Sequence, residues 1–281
     1  MPHLEFDLRR FGGITTRRRL IALGHAPLAL RTAVDAGSII RLDRSWVALP
    51  DANAEARRAV ARGGILGGES ALRSYGVWVT ADGGVCVATA RTASRLPPLL
   101  AGEYRLWREG VSRGSGEWRV APFEALAQYL PRVADRHHLV ATLDSALHHG
   151  LLAPVQLDEL LERMSRRIRR LRTKLDPAAE SGLESILRTA IAANGWRVES
   201  QVRIAGVGRV DLLVDGWLVV EADGSAWHDH HEAIERDRQR NSALVLRGYR
   251  WHRFGARQVL HELDRCIAVI RALLASGPPR R

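Results

Sequence analysis

Apolar residues recur every three or four positions over 15–23 and again from Pro27 to 37. Gly24 and Gly37 close these two stretches, so two short helices joined by a tight turn are predicted. The period then changes to two. Residues 39–42 and 46–49 alternate around Asp43 and Arg44, the pattern of a two-stranded hairpin. From 51 to 175 helical periods fall at 54–62, 69–75, 122–130, 135–149 and 155–174, with strand-like pieces at 84–90 and 103–108. Beyond 178 the pattern sharpens. A helix over 180–194 stops at Gly195, and strands follow over 197–204, 208–214 and 217–223. A helix over 230–246, a strand over 249–254 and a helix over 256–275 complete the order α-β-β-β-α-β-α. The chain thus reads as an α/β (α+β) multidomain protein in three parts, 1–50, 51–175 and 176–281.

Composition supports packed cores. The chain has 281 residues, 46% hydrophobic and 26% charged, enough for two or three domains. No apolar run approaches the roughly 18 residues that cross a bilayer, so no membrane partner is expected. The first residues carry Glu5, Asp7, Arg9 and Arg10 and lack the apolar centre of a secretion signal. Cys86 and Cys266 stand alone, which excludes a disulfide scaffold and a cysteine zinc site and fits a reducing, cytoplasmic setting. Lys174 is the only lysine, a coding bias more than a functional signal.

The net charge of +11 is concentrated. Residues 163–174 hold Arg163, Arg166, Arg167, Arg169, Arg170, Arg172 and Lys174 and no acid, while the flanking regions stay near neutral. Met164, Ile168, Leu171 and Leu175 recur among them at helical spacing, so an amphipathic helix with a wide basic face is expected. That face is either solvated or a phosphate-binding surface for nucleic acid; an anionic membrane fits less well, because the apolar seam is narrow. The helix, turn, helix and hairpin of 1–50 form the layout of a winged helix-turn-helix. In that layout Arg31 on the second helix and Arg41 and Arg44 on the wing are the DNA-contacting candidates; the alternative is a module that binds protein or merely packs.

The chemistry concentrates after 178. Asp211 interrupts the apolar run VDLLV, and Glu221 and Asp223 end the run WLVVEADG. Carboxylates in strands this apolar need a partner or a cation. A divalent metal such as Mg²⁺ (or Mn²⁺) takes oxygen ligands and is the simplest partner; strand-end ion pairs with Arg203, Arg209 or Arg253 are the alternative. The hairpin loop decides whether the acids meet. A two-residue loop pairs Asp211 with Val220 and sends Glu221 to the other face. A three-residue loop over 214–216 pairs Asp211 with Val219 and leaves Glu221 diagonal on the same face, and this odd-length loop is expected. Asp135, His137, His138, Asp144, His148 and His149 share one helix, where a solvated or partly satisfied face is expected in preference to a metal site.

An Asp, about ten residues, then Glu-x-acid on adjacent strands after a helix bearing Glu184 resembles the PD-(D/E)XK nuclease arrangement. More narrowly, "ESGLESILR", "GRVDLLVDGWLVVEADGSAWH" and "ERDRQRNSALVLRGYRWHRF" resemble Vsr-like endonucleases of the family called domain of unknown function 559. The resemblance implies Asp211 and Glu221 as metal ligands with the Ala222 carbonyl, and Glu184 as an outer acid orienting a metal water. It implies His228 as a general base or phosphate ligand, and Arg236 or Arg240 as a phosphate clamp. Trp227 beside His228 is a candidate for stacking on a base. The lysine of the widest motif is replaced by Asp223, which leaves room for a domain that does not cut. Residues 10–150, through "SIIRLDRSWVALP" and "GGESALRSYGV", resemble the N-terminal region of AbiEi-like antitoxins, which implies DNA binding and leaves room for a cognate toxin. Together these predict a metal-dependent DNA endonuclease held on duplex DNA by its N-terminal region, with contacts from Arg163, Arg166, Arg167, Arg170 and Lys174. The rival is a DNA-binding regulator whose nuclease fold is spent.

Overall fold

The computed structural model describes residues 3–80, 83–108, 117–224 and 231–279, apart from the side chains of 231–237. His228 and Trp227, and the side chain of Arg236, lie outside the described residues. The chain is mixed α/β, with three small sheets among the described residues. It divides into two compact units, Met1–Arg132 and Val133–Arg281. The sequence divisions at 50 and 175 differ from this one, since the helices from Arg136 onward fall in the second unit.

The first unit opens with α1 (Leu4–Arg10), β1 (Ile14–Thr16), α2 (Arg17–Ala22) and α3 (Pro27–Asp35). Strands β2 (Ile40–Arg41) and β3 (Trp46–Ala48) follow, and the sheet runs β1-β3-β2, antiparallel throughout. Helix α1 and strand β1 are absent from the sequence expectation, being too short to show a period. The Thr16 hydroxyl accepts the Arg19 N–H and starts α2, and Pro27 opens α3 where a missing N–H costs nothing. Leu8, Ile14, Leu20, Leu30 and Trp46 are buried and form the core of this part. Next come α4 (Ala54–Ala61), β4 (Ile65–Leu66), α5 (Gly68–Ser74), β5 (Val85–Ala90), β6 (Glu103–Arg108) and α6 (Pro122–Tyr129). Their sheet runs β4-β5-β6, with β5 and β6 parallel. Glu103, its side chain fully buried, is held by Arg58 at 2.9 Å and Arg62 at 3.0 Å.

The second unit begins with α7 (Arg136–His148), α8 (Pro154–Glu162) and α9 (Arg166–Arg169), with a 3-10 turn at Arg172–Lys174. The continuous basic helix expected over 155–174 is therefore broken. Arg163 caps α8, and Ser165 starts a new turn. Like charges three and four residues apart would repel along one helix. The breaks instead let Arg167 donate to the Val133 and Ala134 carbonyls and bring Arg172 to 2.8 Å from Asp158. The polar face expected on 135–149 is likewise corrected in part: Asp144 is fully buried, paired with Arg188 at 2.7 Å and accepting the Asp176 N–H at 2.8 Å.

The α-β-β-β-α-β-α order appears as α10 (Gly182–Ala193), β7 (Val198–Ile204), β8 (Gly208–Val214), β9 (Leu218–Asp223), α11 (His231–Leu246) and β10 (Arg250–Gly255). The last helix is split into α12 (Ala256–His261) and α13 (Leu263–Ala275) because Glu262, at φ −133°, leaves the helical region. The sheet runs β10-β9-β8-β7: an antiparallel meander with β10 added parallel to β9 through α11. Ile204, Val210, Leu213, Val219 and Leu244 of α11 form a buried cluster on it.

Candidate active site

The site lies in the second unit and begins with the hairpin. Asp215 and Gly216 both take positive φ, 49° and 79°, and the Trp217 N–H closes a turn on the Val214 carbonyl. Val214 then pairs with Leu218, so Trp217 is an extra residue and the loop is 215–217. The odd length expected from the sequence holds, but its phase is shifted. The ladder pairs Leu212 with Val220, and one further step sets Asp211 opposite Glu221, where the sequence expectation had Val219. The two acids thus share a face directly across the strands, with Leu213 and Val219 beside them.

Asp211 accepts the Ala222 N–H at 3.0 Å on Oδ2. Its carboxyl is pushed up to about 6, first by burial; the Glu184 and Glu221 charges push the same way, while the Ala222 N–H and Arg240 oppose them. Glu221 is buried and carries two guanidiniums. Arg253, its partner in the β9–β10 register, donates through Nη2 at 2.8 Å and Nε at 3.2 Å to Oε2. Arg240 of α11 lies 2.7 Å from Oε1 and also donates to the Arg209 carbonyl. Glu184 is buried in the first turn of α10, whose N-cap Ser181 accepts its N–H. The carboxylate Oε2 of Glu184 accepts from the Glu180 N–H at 3.1 Å and from Gln201 Nε2 at 2.6 Å. Asp223 ends β9, half-buried.

Glu184 and Glu221 lie near enough to Asp211 for their charges to act on it, and they are joined by Gln201, which sequence reasoning missed, and by the Arg253 clamp. Arg253 was foreseen only as the alternative ion pair. Hard oxygen donors opposite one another suit Mg²⁺ or Mn²⁺. Glu221 Oε1 supports that fit: it is buried and, beside Arg240, receives no aligned hydrogen bond among the described residues. The arginines are the counter-charge that a cation would displace. Among the described residues no three His, Cys, Asp or Glu side chains are grouped closely enough to hold a metal ion.

Among the described basic candidates Arg240 is half-buried beside Glu221 and the others lie on the surface, where not all are idle. Arg31, Arg41 and Arg44 are exposed, and Arg41 Nε is held by the Asp43 carbonyl at 3.0 Å. Arg17, Arg18 and Arg44 line an open depression of about 620 Å³ with Thr16, Ile21 and Trp46. Arg17 also borders a second one with Arg31 and Arg41. Arg17 and Arg18 were missed because they fall at a helix start, where no period singles them out. In the second unit Arg163 pairs with Glu159, Arg167 donates to the Val133 and Ala134 carbonyls just before α7, and Arg166, Arg170 and Lys174 are exposed.

Residues 184–274 match the model of a restriction-endonuclease-like family, REase_MTES_1575. The match begins at Glu184 and takes in Asp211, Glu221 and Asp223, which supports a nuclease-type function for this segment. It does not reach the residues that carry the winged-helix and AbiEi-like expectations. No curated protein matches the chain. Among the described residues no helix is long and apolar enough to cross a membrane.

Proposed function

We propose that the chain is a metal-dependent DNA endonuclease. The observation that carries this is the β8–β9 register, which continued one step sets Asp211 opposite Glu221 with buried Glu184 near enough to add its charge; burial first, and these charges after it, push the Asp211 carboxyl up to about 6. Such an arrangement is unfavourable unless a cation or a proton relieves it. Asp211 and Glu221 would hold Mg²⁺ or Mn²⁺, which when bound supplies Lewis-acid stabilisation of the developing charge on the phosphate. Glu184, fixed by Ser181, Glu180 and Gln201, orients a water at the site. His228 is the candidate proton acceptor and Arg236 the candidate phosphate clamp, on their sequence context alone. The arginines around Thr16 and on the β2–β3 hairpin form the DNA-holding surface of a winged helix-turn-helix, with Arg166, Arg170 and Lys174 adding phosphate contacts from the second unit.

One observation favours a second reading, a DNA-binding regulator that no longer cuts. Glu221 is already neutralised by Arg240 and Arg253, and Asp223 replaces the motif lysine. Supercoiled plasmid incubated with Mg²⁺, Mn²⁺ or EDTA, beside an Asp211→Ala variant, separates the two. Metal-dependent nicking abolished by the substitution is the expected result. Salt-sensitive plasmid binding without nicking moves the assignment to the regulator.

A further inference from the structure

We propose that Gln201 is a positioning residue of this site, its amide fixing the Glu184 carboxylate against the Asp211–Glu221 pair; this rests on the nuclease reading above. Gln201 sits inside β7 at φ +55°. Strand residues hold φ near −120° to −140°, and the left-handed region is disfavoured for side chains other than Gly, Asn and Asp. Two other non-glycine residues among the described ones have positive φ: Asp215 in the hairpin turn and Arg95 between strands. Gln201 alone of the three lies within a strand.

The distortion is not caused by an inserted residue. Ser200 pairs with Leu212 and Val202 with Val210, so one residue faces one residue on either side of the kink. The position that this register assigns to Gln201 is opposite Asp211. The left-handed turn of one residue therefore reorients a side chain at the level of the acids without shifting the ladder. Glycine serves at the nearby positive-φ positions Gly206, Gly208 and Gly216. Glutamine at 201 brings what glycine lacks: Nε2 donates to Glu184 Oε2 at 2.6 Å.

The chemistry of an amide suits the place. A lysine or arginine would neutralise Glu184, and a carboxylate would add a fourth negative charge. An amide donates without titrating and leaves the charge of Glu184 intact for a cation or a polarised water. Strain of this kind persists where the surrounding structure enforces it, and it clusters at functional sites. Groups that orient metal-site carboxylates from behind typically change metal affinity or activity by about 10–100-fold when removed.

The test uses the full chain and two variants that tolerate the left-handed backbone, Gln201→Gly and Gln201→Asn. Glycine removes the amide, and asparagine keeps an amide one methylene too short to reach Glu184. Three quantities are measured: thermal midpoint, Mn²⁺ affinity by calorimetry without DNA, and nicking rate at saturating plasmid. Both variants are expected to keep or raise the midpoint and bind plasmid in EDTA as the wild type does. Both should lose about tenfold or more in Mn²⁺ affinity and in nicking rate. Wild-type values in Gln201→Gly overturn the proposal, as does a loss that merely follows a fallen midpoint. A wild type that neither binds Mn²⁺ nor nicks removes the nuclease reading itself, and that arm tells the two failures apart.

Discussion

Replacing Asp211 by asparagine should make the protein more stable at neutral pH and inactive at every pH. The carboxyl of Asp211 rises from an ordinary 3.8 to about 6 on folding, with burial as the largest cause. A raised acid favours the folded state while it is protonated. Its penalty sets in as pH climbs above the unfolded value near 3.8 and is complete above the folded value near 6. Two units correspond to about 3 kcal/mol at roughly 1.4 kcal/mol per unit. Asp211 is only partly buried, and solvent screening reduces this to about 1–2 kcal/mol. Asparagine keeps an oxygen for the Ala222 N–H and presents an NH₂ to the neighbouring carboxylates, so it relieves the repulsion without orphaning a donor. Urea unfolding in EDTA at pH 4, 5, 6, 7 and 8 measures the difference between variant and wild type. The gain of the variant should be near zero at pH 4 and grow to about 1–2 kcal/mol by pH 7. A variant less stable than wild type at pH 8, or a gain independent of pH, would refute the raised Asp211 carboxyl, and with it the burial and neighbouring charges from which the site is argued. A stabilising substitution that abolishes function marks a position held against stability.

Two further outcomes follow from charges that serve structure or binding. Arg188→Met leaves Asp144 buried without its cation and should cost about 3–5 kcal/mol in urea unfolding at pH 7. Burial already raises Asp144, so protonation should shrink that cost as pH falls; a loss under 1 kcal/mol would show the pair to be dispensable. Arg17→Ala, Arg18→Ala and Arg44→Ala should each flatten the salt dependence of plasmid binding by about one counterion, and the triple variant by about three. A triple variant with the wild-type slope would remove this surface from the DNA interface.

What was legible in the sequence is what depends on neighbours along the chain. Ser181 and Glu184 mark the start of α10 by their spacing, and the apolar runs around Asp211 and Glu221 define two adjacent strands before any pairing is known. Asp215-Gly216 announces a turn with two positive φ values, but nothing local says that Trp217 becomes the extra residue, and that one position decides whether Asp211 faces Val219 or Glu221. Where periodicity misled, electrostatics prevailed: the helical spacing of Met164, Ile168 and Leu171 runs on past Ser165, whereas crowded arginines gain more by breaking step and reaching separate acceptors. The counter-charges were the least legible. Arg240 and Arg253 reach Glu221 from α11 and β10, and Arg188 reaches Asp144 from another helix. A carboxylate in an apolar strand therefore announces that a positive charge is needed, but only the fold decides its source. At Glu221 arginines now supply that charge, next to an Asp211 whose carboxyl is still pushed up to about 6, first by burial and then by the Glu184 and Glu221 charges. The same side chains can thus be a nuclease site or a spent one, and which it is depends on whether a cation outcompetes Arg240 for Oε1.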